Sequence, residues 1–365
     1  METAAALTAE GTEEFRSQLL AWFRLNARDL PWRQTRDPYR IWISEVMLQQ
    51  TRVSTVIPRY TEFILRFPSL VSLALAREDE VLTLWSGLGY YRRARMLHGA
   101  ARLLVNEHGG SLPRSSVELR RLPGIGDYTA AAIASISHNE AVAAVDGNVE
   151  RVLIRVLGQG AVRRGRWAAR LKETAGILLD PKAPGAFNQA MMELGATVCL
   201  PRNPRCAECP VRKFCGTKGE HEAAPRKEMA SRKTHYALVK KPIAKGTRRV
   251  QVLLVQRPDN ASQMPGMWEL PALDDAAKSE PVLRIRHAIT HTNFYVEVFA
   301  MKDEKLCGQK RVKKALRQDW VPDSKLGEIP LTGLARKILM RLDVLAKPRE
   351  VRQGKALPSR ASDFL

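Results

Sequence analysis

Apolar residues in the first part of the chain recur at the spacing of a helix face, without the alternation that is typical of strands. The segment 41–51 is apolar on most sides, which predicts a short buried helix. The other segments with helical spacing are 13–26, 53–66, 70–76, 78–84, 91–107, 127–136, 149–157, 167–179 and 184–195. Because no alternation precedes about residue 235, we predict an all-α domain here.

The pattern changes in the last part of the chain. Segments 250–256 and 293–299 alternate between apolar and polar residues as strands do, and a last helix is predicted at 334–342. This part is therefore expected to be a smaller α+β domain. The predicted boundaries are a helical domain at 1–217, a polar linker at 218–234, the α+β domain at 235–346 and a basic, disordered tail at 347–365.

Composition and charge favour a polyanionic partner. The chain has 365 residues, of which 45% are hydrophobic, so it can bury more than one core. Its formal net charge of +21 favours nucleic acid as the partner. No basic segment followed by an apolar run opens the chain, and no apolar run approaches the roughly 20 residues of a membrane span. We therefore expect a cytoplasmic monomer with reduced cysteines.

A glycine turn leads into the predicted helix at 127–136. The sequence Leu-Pro-Gly-Ile-Gly places Gly124 and Gly126 directly before that helix. A helix N-terminus has unpaired N–H groups beside the positive end of its dipole, which suits a phosphate, and glycines let the phosphate approach closely. The alternative is a helical hairpin in which the glycines only form the corner.

Two carboxylates are candidates for chemistry. Asp146 lies at the turn that opens the helix at 149–157, although such a residue can also serve only as a helix cap. Glu45 lies within the apolar helix, where burial would raise the pKa of its carboxyl group and suit it to act as a general acid. The alternative for Glu45 is a solvent-facing stripe shared with Gln49 and Arg52.

The segment Gly-Leu-Gly-Tyr-Tyr-Arg-Arg at 87–93 joins two predicted helices. It combines flexible backbone, aromatic rings and cations, a composition suited to gripping a nucleic-acid backbone and to wedging between bases. An ordinary helix–helix corner with buried tyrosines would have the same composition. Both interpretations remain open at this point.

Four of the five cysteines lie close together, with the spacing C-x6-C-x2-C-x5-C, at Cys199, Cys206, Cys209 and Cys215. In a reducing compartment this spacing favours metal ligation over disulfides. Four thiolates fit either zinc or a [4Fe–4S] cluster, and the presence of a single CxxC pair favours the cluster. Cys307 stands apart and is expected to be a small core residue.

These motifs, in this order, closely resemble the adenine DNA glycosylases of the MutY family. The matching stretches are PWRQTRDPYRIWISEVMLQQTRV, GLGYYRRAR, LPGIGDYTAAAIAS, VDGNVERVL, FNQAMMELG and the cysteine array. The family belongs to the helix-hairpin-helix glycosylase superfamily, which also contains endonuclease III. The resemblance implies a mainly α helix-hairpin-helix glycosylase domain with a [4Fe–4S] loop at 199–215, followed by a Nudix-like domain that recognises 8-oxoguanine.

The resemblance also implies a reaction on double-stranded DNA, namely excision of adenine mispaired with 8-oxoguanine or guanine. In that reaction Glu45 protonates adenine at N7, Asp146 stabilises an oxocarbenium-like sugar, and Tyr128 supports the geometry. Arg28, Arg33 and Glu193 would lie near the adenine, and Gln50 and Tyr90 would intercalate around 8-oxoguanine. The full set of residues for which contacts with adenine or DNA are implied is Arg28, Arg33, Gln50, Thr51, Leu88, Tyr90, Gly124, Gly126, Asn148, Glu193, Thr290 and His291.

Some features separate this interpretation from its alternatives, and one departs from the family pattern. Endonuclease III has a lysine at the position of Tyr128, for the Schiff base of its lyase step, and lacks an acid equivalent to Glu45. The last domain has no glutamate-rich Nudix box and is therefore expected to bind without hydrolysing. Threonine occupies position 290, where the family has the serine of a Phe-Ser-His motif. A non-enzymatic DNA-binding protein on the same fold would require Glu45 and Asp146 to have no catalytic role.

Overall fold

The computed structural model describes residues 8–158, 166–220, 228–244, 246–247, 249–289, 291–306, 315 and 317–346. The chain divides into two compact units, the first formed by residues 1–81 and 90–228 and the second by residues 82–89 and 229–365. Three predictions fall outside the described residues: the contact of Thr290 with 8-oxoguanine, the core position of Cys307 and the disorder of the tail at 347–365.

The first unit is helical, as predicted. Short 3₁₀ turns at Pro31–Arg33, Cys206–Glu208 and Arg212–Phe214 accompany its helices. The helices from the start of the chain are α1 (Ala9–Asn26), α2 (Pro38–Leu48), α3 (Val53–Arg66), α4 (Leu70–Ala74), α5 (Glu78–Leu84), α6 (Arg92–Glu107), α7 (Ser116–Leu119), α8 (Asp127–His138), α9 (Gly147–Val156), α10 (Arg166–Leu178) and α11 (Pro184–Thr197).

Helix α2 is displaced along the chain from its predicted position at 41–51. The side chain of Asp37 caps the helix by accepting a hydrogen bond from the Tyr39 amide at 2.9 Å, and Pro38 suits the first turn because no partner is needed for its missing N–H. The helix ends at Leu48, and Gln50 then adopts a left-handed conformation with φ of 54°. Hydrophobic periodicity locates the apolar face of the helix but not these local end signals.

Small residues allow the helices around the candidate site to pack closely. Buried alanines occupy most of the middle of α8. A Cβ atom at Gly185 of α11 would lie 2.6 Å from the Ser135 carbonyl oxygen of α8. A Cβ atom at Gly195 of α11 would lie 2.6 Å from the Cβ atom of Asn148 on α9. The glycines of α11 thus bring three helices close together, and Asp146 precedes one of them.

The described residues of the second unit form two sheets. Their strands are β1 (Ala230–Leu238), β2 (Lys240–Pro242), β3 (Val250–Gln256), β4 (Trp268–Glu269), β5 (Ala272–Leu273), β6 (Leu283–Ile289), β7 (Thr292–Ala300) and β8 (Arg317–Pro322). One sheet has the order β5-β1-β7-β6, and in the other β3 lies between β2 and β8 and also pairs with β4. The β1–β7 pair is parallel, and the remaining named pairs are antiparallel.

The core of the second unit forms where the last helix, α12 (Gly333–Arg341), packs against the sheets. Ile338 and Leu339 of this helix are buried together with the apolar residues of β3 and β7. The predicted strands at 250–256 and 293–299 and the predicted last helix are therefore confirmed, the first with its predicted limits and the other two with small changes at their ends. The predicted linker at 218–234 is too long, because β1 begins at Ala230 and pairs with β7 along its whole length. No described helix is long and apolar enough to span a membrane.

Candidate active site

A cavity of about 710 Å³ lies in the first unit, between α2, α8, α9 and α11. It brings together residues that are far apart in the sequence. The predicted site residues that line it are Arg28, Arg33, Glu45, Gln50, Thr51, Tyr128, Asp146, Asn148 and Glu193. The cavity is large enough to enclose most of a small organic ligand, since such sites typically measure about 300–1,000 Å³.

Glu45 is the buried acid of this cavity. It lies on α2 with 5% of its surface exposed, and its Oε2 accepts a hydrogen bond of 2.5 Å from the Tyr128 hydroxyl. Burial raises the pKa of Glu45 to about 7; the bond from Tyr128 opposes this rise, and the negative charge of Asp146 adds to it. A carboxyl group with this pKa can hold a proton at neutral pH and release it to a bound ligand. The expectation of a buried glutamate is confirmed, and the solvent-facing alternative is wrong.

Tyr128 enters the cavity from the first turn of α8. Its hydroxyl lies 2.5 Å from Oε2 of Glu45 and 3.1 Å from the sulfur of Met192. Because a hydroxyl has one proton and the carboxylate is the stronger acceptor, the bond to Glu45 is the dominant one. Burial raises the pKa of Tyr128 well above its usual value, and the charge of Glu45 raises it further. The residue is therefore a neutral donor that orients the acid.

Asp146 is both a helix cap and a wall of the cavity. Its Oδ1 accepts hydrogen bonds from the amides of Asn148 and Val149, at 2.9 and 2.8 Å, and its Oδ2 accepts one from Asn148 Nδ2 at 2.9 Å. These bonds fix the carboxylate at the N-terminus of α9, where the helix dipole favours negative charge. Asp146 therefore does cap α9, which was one of the two interpretations of the sequence. The capping hydrogen bonds hold the same carboxylate at the wall of the cavity.

Glu193 of α11 forms a buried cluster with two arginines. Its side chain is fully buried, and it accepts bonds from Arg28 Nε and Nη2 at 2.7 Å each and from Arg33 Nη2 at 2.8 Å. Burial alone would raise the pKa of Glu193, but the bonds from the two guanidinium groups outweigh it and lower the pKa to about 2. The cluster therefore carries one negative and two positive charges, and it gives this wall a fixed set of hydrogen-bonding groups.

Sequence reasoning missed Arg151, which connects the cavity to the cysteine segment. Its Nη2 donates to Asn148 Oδ1 at 2.9 Å and to the Gly195 carbonyl oxygen at 2.7 Å. Its Nε donates to the Cys199 carbonyl oxygen at 2.8 Å. The only sequence signal was an arginine in the VDGNVERVL motif, and its partners on α11 could not be inferred from that motif.

The four clustered cysteines lie in one segment, which packs against the core that contains α9, and none of them forms a disulfide. Cys199 Sγ accepts a hydrogen bond of 3.2 Å from Arg155, and Cys215 Sγ accepts one of 3.3 Å from the Lys218 amide. Burial raises the pKa of the Cys209 thiol to about 11, and the charges of the other three thiols contribute to the rise. The thiols are therefore near enough to affect one another.

The four thiols are a donor set that a [4Fe–4S] cluster requires. Among the described residues, no three His, Cys, Asp or Glu side chains are placed around one point as a single metal ion would require. A structural zinc ion needs four ligands, with thiolates at about 2.3 Å from the same ion. In a [4Fe–4S] cluster each of four cysteines binds the cluster through its thiolate, so the sulfurs need not converge on one ion. Positive charge from Arg155 beside Cys199 suits ionised sulfur.

The glycine turn is open at the N-terminus of α8. Gly124 has a φ of 80°, and a Cβ atom there would lie 2.9 Å from Cβ of Met96, so glycine is required at this position. Gly126 has an extended backbone with open space beside it, and no side chain caps the helix. The first N–H groups of α8 are therefore accessible to an external acceptor, as the sequence predicts for a phosphate site.

The remaining predicted residues lie outside the cavity. Tyr90 is 46% exposed, whereas Leu88 is only 4% exposed, so a direct contact of Leu88 with DNA is not supported. His291 is exposed in the turn between β6 and β7. Tyr90 belongs to the first unit, and Leu88 and His291 belong to the second.

Comparisons with known proteins give the family. Residues 43–173 match the model of the HhH-GPD superfamily base excision DNA repair proteins. The structure of a thermostable thymine-DNA glycosylase is 31% identical, with a TM-score of 0.52, and the match covers 57% of this chain and 96% of that one. The chain belongs to the HhH-GPD superfamily. An endonuclease III trapped in a covalent intermediate with DNA shares the fold, at 22% identity and a TM-score of 0.50, over 58% of this chain and 97% of that one.

The curated relatives of this superfamily member include adenine DNA glycosylases. The Homo sapiens protein is 40% identical over 316 residues, which are 71% of this chain and 57% of that protein. The Arabidopsis thaliana protein is 37% identical over 377 residues, which are 92% of this chain and 58% of that protein. The chain spans somewhat more than half of the length of these relatives. The resemblance to the MutY family is confirmed.

The cysteine segment has a match of its own. Residues 199–215 match the iron–sulfur binding domain of endonuclease III. These are the residues for which the sequence predicts a cluster loop, and the prediction of a [4Fe–4S] cofactor is confirmed. The α+β architecture of the second unit is also confirmed.

Proposed function

We propose that this protein is a monofunctional adenine DNA glycosylase that hydrolyses the N-glycosidic bond of adenine mispaired with 8-oxoguanine or guanine. The observation that carries the proposal is the acid pair of the cavity: Glu45, with a pKa of about 7, is held by Tyr128 and is electrostatically coupled to Asp146. The adenine DNA glycosylases among the relatives support adenine as the base that is removed.

Base removal begins when the adenine leaves the helix stack. An enzyme that acts on a base must extrude the nucleotide into a pocket, at a cost of a few kcal/mol for unstacking. The cavity of about 710 Å³ provides that pocket. The cluster of Glu193 with Arg28 and Arg33 offers hydrogen-bond donors and acceptors along one wall, and we assign it to the recognition of adenine.

Glu45 then supplies the proton. Adenine is a poor leaving group as an anion, and protonation at N7 allows it to leave as a neutral base. The raised pKa of Glu45 keeps part of the enzyme in the protonated form at neutral pH. The bond from Tyr128 holds the carboxyl group in a fixed orientation, and it stabilises the carboxylate that remains after transfer.

Asp146 stabilises the sugar. As the base leaves, positive charge develops on the deoxyribose, and a nearby carboxylate lowers the energy of this oxocarbenium-like state by charge or by transient covalent attachment. The hydrogen bonds from Asn148 and Val149 hold Asp146 in place before the reaction, so the carboxylate needs little reorganisation. Water then completes the hydrolysis. The chain has no amine at position 128, and we therefore expect no efficient strand cleavage.

Double-stranded DNA is the proposed partner. The net charge of +21 attracts the phosphate backbone, and the open N-terminus of α8 beside Gly126 is the proposed phosphate grip. Gln50, Thr51 and Tyr90 are the proposed contacts with the two strands around the mispair. Asn148 would act mainly through the carboxylate of Asp146.

The second unit is proposed to be a Nudix-like domain that recognises 8-oxoguanine without hydrolysing nucleotides. Thr290 and His291, which follow Ile289 of β6 in the sequence, are the proposed contact. Threonine retains the hydroxyl group of the family serine and can donate a hydrogen bond in the same way.

Cys199, Cys206, Cys209 and Cys215 are the proposed ligands of the [4Fe–4S] cluster. The cluster, when bound, supplies iron–thiolate bonds that cross-link the segment. The residues between the ligands include Arg202, Arg205, Arg212 and Lys213. We infer that ligation orders this basic segment for contact with DNA.

The proposal is tested with a panel of duplexes in a single-turnover assay. Adenine would be placed opposite 8-oxoguanine, guanine and thymine, and further duplexes would carry thymine opposite guanine and thymine glycol. Each reaction is read with and without alkali, which cleaves abasic sites. We expect alkali-dependent cleavage of adenine opposite 8-oxoguanine and guanine. Alkali-independent cleavage at thymine glycol would contradict a monofunctional glycosylase, and cleavage only at thymine would contradict the assignment of the base.

A further inference from the structure

Two exposed residues have strained backbone conformations: Gln50, which lines the cavity, and Tyr90, which lies outside it. Gln50 has a φ of 54° and Tyr90 a φ of 47°, in the left-handed region that side-chain-bearing residues rarely adopt. Both side chains are exposed, and Tyr90 retains 46% of its surface. Such strain persists only where surrounding contacts enforce it, and it is concentrated at functional sites. The contacts that enforce it here converge on Arg93.

One side of the Arg93 guanidinium holds the segment that contains Gln50. Its Nη1 donates to the carbonyl oxygens of Val46 at 2.6 Å, Met47 at 3.1 Å and Gln49 at 2.6 Å. Its Nη2 donates to Thr51 Oγ1 at 3.1 Å. Carbonyl groups in the last turn of a helix have no intrahelical partner, and Arg93 donates hydrogen bonds to those at the end of α2. The two residues that flank Gln50 are fixed by the same side chain.

The same arginine also contacts Tyr90. The Arg93 amide donates to the Tyr90 carbonyl oxygen at 2.8 Å, and the guanidinium carbon lies 5.5 Å from the centre of the Tyr90 ring. A cation at this distance from an aromatic face is attracted to it. Gln50 and Tyr90 are 40 positions apart in the sequence, yet Arg93 contacts the segments that contain both.

Both arms of the Arg93 guanidinium are used. The two N–H groups of Nη1 are shared among three carbonyl oxygens, and Nη2 donates to the Thr51 hydroxyl group. Lysine is a compact point charge on a flexible stem and lacks the fixed spacing of these two nitrogens. Burial lowers the pKa of Arg93 to about 10, so the side chain remains charged at neutral pH.

We propose that Arg93 is a positioning residue that holds Gln50 and Tyr90 in their strained, exposed conformations and so presets the surface that reads the mispair. The inference rests on the proposed function, because that function assigns Gln50 and Tyr90 to the contacts around the mispair. Arg93 itself does not line the cavity, so it is not placed to touch the reacting atoms. Loss of its contacts is therefore expected to affect recognition of the mispair more than the chemical step.

The first test requires no DNA. Arg93→Met and Arg93→Lys are compared with Arg95→Met, an arginine of the same helix whose Nε donates to Glu78 at 2.8 Å instead. Amide hydrogen exchange is measured at residues 49–51 and 90–91. We expect both Arg93 variants to increase exchange there about tenfold, with Arg95→Met unchanged. Equal exchange in the wild type and both Arg93 variants would overturn the proposal, whether or not the protein removes adenine.

The second test is a double-variant cycle on DNA binding. The measured quantity is a specificity ratio: the affinity for a duplex with a non-cleavable adenine analogue opposite 8-oxoguanine, divided by the affinity for a fully base-paired duplex. It is determined for the wild type, Arg93→Met, Tyr90→Leu and the double variant. Each single variant is expected to lower this ratio about tenfold, and the pair no more than either single variant, because both remove the same preset surface. The proposal would be contradicted if the loss in the double variant equalled the product of the two single losses. A ratio in Arg93→Met equal to that in Arg95→Met would contradict it as well. A wild type that prefers neither duplex would refute the proposed function instead, and the exchange test would still decide the role of Arg93.

Discussion

At the scale of single residues, the environment of each carboxylate determines its role in the cavity. Glu45 is buried and retains its proton up to about pH 7, whereas Glu193 is also buried but is ionised because two guanidinium groups bind it. Asp146 is held by amides at a helix N-terminus. The different protonation and roles of these three acids follow from their hydrogen-bond partners and burial, and not from residue type alone. The same partners give the predictions at this scale.

The pH dependence of excision reports the protonation of Glu45. Because the protonated form is the active one, the single-turnover rate is expected to fall as pH rises above about 7. The bond from Tyr128 stabilises the carboxylate and lowers the pKa of Glu45, so Tyr128→Phe should raise this pKa and move the falling limb to higher pH. Tyr39→Phe is the control, since the Tyr39 hydroxyl donates to the Phe67 carbonyl oxygen elsewhere. If the falling part of the pH–rate profile stays in place or moves to lower pH in Tyr128→Phe, the bond from Tyr128 does not lower the pKa of Glu45.

Asp146→Asn separates the capping role of this residue from its charge. Asparagine caps helices about as well as aspartate, so the thermal midpoint should change little. The excision rate should fall by about 10² or more, because the charge that faces the developing cation is lost. Asp37→Asn, at the N-cap of α2, is a matched change of cap and should leave the rate close to that of the wild type. Full activity in Asp146→Asn would require another stabiliser.

At the scale of elements, hydrophobic spacing predicts which segments are helices, but it does not determine where they end or how closely they pack. The predicted limits of α2 were wrong because Asp37, Pro38 and the left-handed Gln50 determine its ends. The strand β3 was predicted with its observed limits, because alternation is a strong local signal. The approach of α11 to α9 could not be predicted, since it depends on a contact between Gly195 and Asn148 across the fold.

Gly195→Ala tests this close approach. The added Cβ atom would lie 2.6 Å from Cβ of Asn148 and 3.0 Å from its carbonyl oxygen, so one of the two helices must move. We expect a loss of about 1–3 kcal/mol in the free energy of unfolding, measured with chemical denaturant. Gly176→Ala in α10 is the control, because nothing lies within 4 Å of its Cβ position. That variant should be neutral or slightly more stable, and an equal loss in both variants would mean that packing against Asn148 is not the cause.

At the scale of the whole molecule, the sequence predicts the all-α part, the α+β part and the cluster loop in the correct order. That Glu45 and Asp146 line one cavity was also predictable, because both lie in motifs of the family, and their catalytic roles stay a prediction. Contacts between distant segments were not predictable. Arg151 bonds to both Asn148 and the cysteine segment, and Arg93 bonds to the end of α2. Neither link produces a local pattern in the sequence.

Metal analysis tests the cofactor of the whole chain. We expect about four irons and four acid-labile sulfides per chain, as a [4Fe–4S] cluster requires. Cys199→Ser is expected to lower the iron content and the thermal midpoint together, because the ligands hold the segment beside α9. Cys307→Ser is the matched control and should leave the iron content unchanged. One zinc ion and no iron per chain would contradict the cluster.

The most direct test of the central claim is single-turnover excision of adenine opposite 8-oxoguanine by the wild type and by Glu45→Gln. Glutamine has nearly the same shape as the protonated acid, so the affinity for the duplex should be retained while the proton donor is lost. We expect alkali-dependent excision by the wild type and none above background by the variant, at equal affinity for the duplex. Near-normal excision by Glu45→Gln, or no excision by the wild type, would contradict it.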